Sequence, residues 1–154
     1  MGESESKSES EWKHAEWVSP LGKWAWLILL LSGVGRIFIG LVTVIPRIVD
    51  WVAAGAFAFN NPMPIRGFVW PLIAGITSIV VSLIVIKPKF SKLCGEKDWE
   101  ALYGWTLNLG GKNVPWMFIW GIIFTIFSWV YVTSVFVMLP AIMLIWAGPR
   151  KYEW

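Results

Sequence analysis

Apolar and polar positions in this chain are sorted into long blocks instead of being interleaved. Trp24 to Ile45 carries one arginine, Gly67 to Ile86 carries no charge, and Val114 to Gly148 runs 35 residues without one. At ~1.5 Å of helix per residue, about 20 such residues match the ~30 Å hydrocarbon core of a bilayer. The blocks therefore predict an all-α, integral membrane helical bundle. Four spanning helices are expected, at about 24–45, 67–86, 115–131 and 132–148. A short interfacial or re-entrant helix through Ile48 to Phe59 should follow the first, because Pro46 can end it and Asp50, Asn60 and Asn61 interrupt the next stretch.

The last block decides between four spans and three. As one helix it would measure ~52 Å, far beyond the core, whereas a hairpin has two short arms. Tryptophans at 116 and 120, at 129 beside Tyr131, and at 146 fall where three interface crossings would place an aromatic belt. Four spans also put ten basic residues (7, 13, 23, 87, 89, 92, 97, 112, 150 and 151) on one side and only Arg47 and Arg66 on the other. Three spans would give eight against four. The positive-inside bias favours the hairpin, with both termini cytoplasmic, although Ser128 to Ser134 holds no glycine, proline or asparagine to make a turn.

Residues 1–16 read as a disordered charged tail, since MGESESKSESE has no apolar residue after Met1 to bury. Residues 17–154 read as a single transmembrane domain. Met1-Gly2 with Ser6 fits the N-myristoylation pattern only formally, because a bilayer-spanning chain gains little from one acyl anchor. The first apolar run lacks a small-residue cleavage pattern, so it should remain in the mature protein. Between Lys87 and Asn113 a lysine-rich loop is expected to hold Cys94 and a short surface helix near Lys97 to Trp105, with Trp99, Leu102 and Trp105 inserted in the membrane. Gly110-Gly111 marks a turn.

Charge alters the picture little. The net charge is +3, and without the tail the chain carries eleven basic and five acidic groups. No basic helix or aromatic platform accompanies them, so nucleic acid is not an expected partner. Anionic headgroups and membrane orientation account for lysines that flank apolar spans.

Arg36 is the one ionisable group well inside a span, at a cost of ~2.5–3.5 kcal/mol on insertion scales. At 100° per residue, Ser32, Gly33, Gly40 and Thr43 lie within about 60° of it, so it shares a face with small residues that let helices approach. Counting inward from the outer ends places it level with Thr77 and Ser78 on the second helix. That helix has its own small face of Ala74, Gly75, Ser78 and Ser82, and Thr125 and Ser128 are further hydroxyls within reach. Arg36, Thr77 and Ser78 are thus the candidate binding residues, and Ser32, Gly33, Gly40, Ala74, Gly75 and Ser82 the packing residues. The spans contain no histidine or carboxylate, so no catalytic residue, metal site or cofactor is expected. Glu96, Asp98 and Glu100 read as a solvated surface. The expected function is a non-catalytic interaction or accessory subunit of a membrane assembly, with the bilayer, other subunits or itself as partners. The alternative is a small carrier or lipid-binding protein in which Arg36 holds an anionic group.

Overall fold

The computed structural model describes residues 12–54, 66–127 and 132–149. It is predominantly helical: α1 (Ala15–Ala53), α2 (Arg66–Val81), a π-helical segment (Ser82–Ser91), α3 (Lys92–Glu96), α4 (Trp99–Gly104), a hairpin of β1 (Thr106–Leu109) and β2 (Lys112–Pro115), α5 (Trp116–Phe127) and α6 (Val132–Ala147). Two helices, α1 and the continuous stretch Gly67–Glu96, are long and apolar enough to cross a membrane. The arms α5 and α6 are shorter, ~18 and ~24 Å at 1.5 Å per residue.

The long helices run past the stops expected from sequence. α1 continues through Pro46 to Ala53, so no separate element begins at Ile48; the rest of the predicted 48–59 helix lies outside the described residues. A proline in a helix removes one backbone donor, and where all neighbours are apolar the remaining ladder outweighs that loss. The lysines at 87, 89 and 92 likewise do not end the second long helix. Around Pro88 its ladder shifts to i→i−5, a winding that lets a helix absorb irregularity without breaking. Cys94 is therefore a buried helical residue and not part of a loop.

α1 and the second long helix form an antiparallel pair, closest where glycine faces glycine. A Cβ on Gly33 would lie 2.8 Å from the Gly75 carbonyl oxygen, and one on Gly75 would lie 2.9 Å from that of Gly33. Gly40 lies against the Phe68 ring, and Gly22 against Cys94. Serines stitch the same seam. Ser19 donates to the Cys94 carbonyl at 2.7 Å, Ser78 to Leu29 at 3.1 Å, and Ser82 to Trp26.

The 35-residue apolar block folds as two antiparallel helices, with Gly121 against Met138 and Phe118 edge-on to Trp146. The residues between them lie outside the description. Four spans do not follow from this, because neither arm reaches ~30 Å.

One end of the bundle gathers the remaining segments. Trp12 meets Trp99 edge-on at 5.3 Å and donates its indole N–H to the Ala147 carbonyl at 2.6 Å. Tyr103 donates to the Leu144 carbonyl at 2.7 Å. Trp12 and Ala15, assigned to the tail from sequence, are core residues. Trp99 and Leu102 are buried in protein and not inserted in lipid, because α4 folds back under α6. The predicted turn is present: Gly110 and Gly111 both have positive φ, which spares them the Cβ strain of that region.

Candidate functional site

The structure brings the three predicted binding residues together. Arg36 from α1 and Thr77 and Ser78 from α2 line one cleft, with Ser32 beside them and Trp120 and Phe124 of α5 as the third wall. The arrangement follows from helix geometry. The glycine pair Gly33–Gly75 draws the helices together just below Arg36, and the side chains one turn on splay apart over that crossing. α5 rises only twelve residues from Trp116, so its last turns close the cleft on one side.

Arg36 is partly exposed, and among the described residues no carboxylate reaches it. An exposed ion pair elsewhere joins Lys92 to Glu96, 3.9 Å apart. Ser78 is already engaged, its hydroxyl donating to the Leu29 carbonyl; its oxygen lone pairs remain free to accept. The cleft has a volume of about 60 Å³ and nearly all its lining is carbon. That is room for a few waters or one small anionic group at the guanidinium.

The packing residues sort into two groups. Gly33, Gly40, Gly75 and Ser82 lie buried in helix contacts, and Ala74, also buried, contributes to the cleft lining. Ser32 instead faces the cleft. Thr125 donates to the Gly121 carbonyl of its own helix at 2.8 Å, and Ser128 falls outside the described residues. Trp120 and Phe124 were not anticipated, because apolar side chains in an apolar helix carry no mark of which neighbour they face.

No other chemistry converges here. Among the described residues no three histidine, cysteine or acidic side chains group as a metal site. Cys94 is fully buried against Gly22, out of reach of any ligand in the cleft. No protein-family model matches the chain, no curated protein matches it, and no solved structure matches it.

Proposed function

We propose that the chain is a small multi-pass membrane protein that works without catalysis, as an interaction or accessory subunit whose contact point is the Arg36 cleft. The membrane setting is supported by the uncovered apolar surface: only 22% of the most apolar window of each long helix is buried, where the core helix of a water-soluble protein would be mostly enclosed. An orientation with both termini and the Lys87–Asn113 region cytoplasmic is supported by the basic residues gathered on that side and by the packing of Trp12, Trp99 and Ala147 at one end.

The observation that carries the interaction reading is an arginine at an interhelical cleft that the chain's own described residues leave without a counter-charge. A charge at that depth is costly alone and favourable when paired, so a carboxylate on a neighbouring membrane helix is the complement the geometry asks for. The small cleft volume favours a group presented from outside over a solute carried within.

Arg36→Leu and Arg36→Lys test this. With a carboxylate partner, Arg36→Leu keeps the folded monomer and releases a subunit that stays with the wild type through mild-detergent purification. Arg36→Lys retains it poorly, because an ammonium lacks the planar fork. Identical companions across all three proteins would sink the reading, and a lost lipid instead of a lost protein would favour the lipid-binding alternative.

A further inference from the structure

A second cleft lies where the long helices leave the apolar zone, and its character is opposite to that at Arg36. Lys23 and Trp26 of α1 face Lys87 and Ser91 of the π-helical segment, with Lys92 and Glu96 of α3 closing the rim. Its volume is about 350 Å³, several times that of the Arg36 cleft. Three ammonium groups meet one carboxylate, and Glu96 is already paired with Lys92, so the site carries a surplus of positive charge. Lys87 stands over the Trp26 ring, 4.5 Å from its centre, which fixes its position at the mouth. A π-helix is wound i→i−5, so residues four or five apart share a face, and this sets Lys87 and Ser91 on the same wall.

We infer that this cleft binds the phosphate of an anionic phospholipid headgroup. Phosphate chemistry follows from the lysines, whose ammonium groups supply positive charge and hydrogen-bond donors, while the buried Ser91 hydroxyl accepts from the Trp26 backbone N–H at 3.3 Å and holds the two walls together. A lipid is favoured over a free ion because the cleft borders apolar surface. Leu83 and Ile84, about one turn from Lys87 on the membrane side, are exposed, as is Trp24 beside Lys23. Acyl chains can lie on these residues while the headgroup sits among the lysines. The site is separate from Arg36, and its occupancy does not depend on the subunit reading above.

The test is native mass spectrometry of the purified full chain with phosphatidylglycerol, phosphatidylcholine or inorganic phosphate as probe. The wild type should retain phosphatidylglycerol about tenfold more strongly than phosphatidylcholine, as expected of several lysines at a headgroup. The triple variant Lys23→Gln/Lys87→Gln/Lys92→Gln should lose that preference, and the control Lys13→Gln/Lys112→Gln should keep it. Arg36→Leu should also keep it, which separates this site from the other. Protection of Cys94 from alkylation reports folding of each variant, and Lys87→Gln alone, expected to weaken retention about threefold, serves if the triple variant unfolds. Equal retention by wild type and lysine variants, or equal binding of the two lipids, would overturn the assignment. Displacement of phosphatidylglycerol by millimolar inorganic phosphate would overturn the lipid in favour of a soluble ligand.

Discussion

At the level of Cys94, α1 packs against the second long helix and α6, with α4 in the same core, and the buried residues there include Val18, Phe90, Leu102 and Leu144. At the level of Gly40, α1 meets α2 alone among the described residues, and Phe38, Ile39, Val42 and Ile45 are all exposed. The apolar character of the two regions is the same, yet one is a core and the other an arm of two helices. Hydropathy therefore does not separate them. What does is the kind of residue between the helices: hydroxyls, indoles and a phenol bonded to carbonyls at the packed end, and glycine against glycine or a ring in the arm. In lipid an apolar face gains little by turning inward, so close packing and hydrogen bonds decide where helices meet.

The largest expected effect comes from filling the packed end. A Cβ at Gly22 would collide with Cys94, whose helix is fixed by the Ser19 bond, so Gly22→Val has no space to relax into. Overpacking of this kind costs ~1–3 kcal/mol, and a clash with the Cβ as well as the Sγ of a buried cysteine places it at the upper end. Thermal unfolding in detergent should show a large loss, while Gly35→Val, with nothing within 4 Å of its Cβ, should melt like the wild type. Equal melting of the two variants would remove the distinction between packed end and arm.

Gly75→Leu should open the arm and spare the packed end. Its side chain would strike Ile37 and the Gly33 carbonyl, forcing the two helices apart at their closest approach. A cysteine pair cross-linked across the arm in the wild type should stop forming, while Cys94 stays protected from maleimide. Labelling of Cys94 in this variant would mean that the two regions unfold as one unit.

The uneven legibility of the sequence has the same cause. Arg36, Thr77 and Ser78 line one cleft, and what points to that in the sequence is the rarity of charge within the apolar blocks, with helical geometry setting the level. Gly33, Gly40 and Gly75 were legible as packing residues because a missing side chain has one strong use in a membrane. Helix ends were not legible. Pro46 and Lys87–Lys92 are stop signals in water, where an interrupted ladder finds solvent partners, whereas α1 and the second long helix continue through them. The packed end was missed because Trp12, Trp99 and Leu102 look alike whether they face lipid or protein, and only the fold-back of α4 decides.

The smallest effects should come from single hydrogen bonds at the packed end, and they ask whether the N-terminal segment belongs to it. Trp12→Phe keeps most of the ring and its contact with Trp99 but removes the N–H that reaches the Ala147 carbonyl. Tyr103→Phe removes the bond to the Leu144 carbonyl in the same way. Each leaves a carbonyl without that partner, buried at Leu144 and part-buried at Ala147, at about 1 kcal/mol. The two bonds tie different segments to the same last turns of α6, so the double variant should lose less than the sum if each holds that turn for the other, because either single variant already forfeits that support. Truncation before Glu11 removes no apolar residue other than Met1 and should leave the melting temperature unchanged, whereas truncation through Ala15 removes two core residues and should lower it clearly. A wild-type melt after the longer truncation would return Trp12 to the tail and shrink the packed end to what α4 and α6 make with α1.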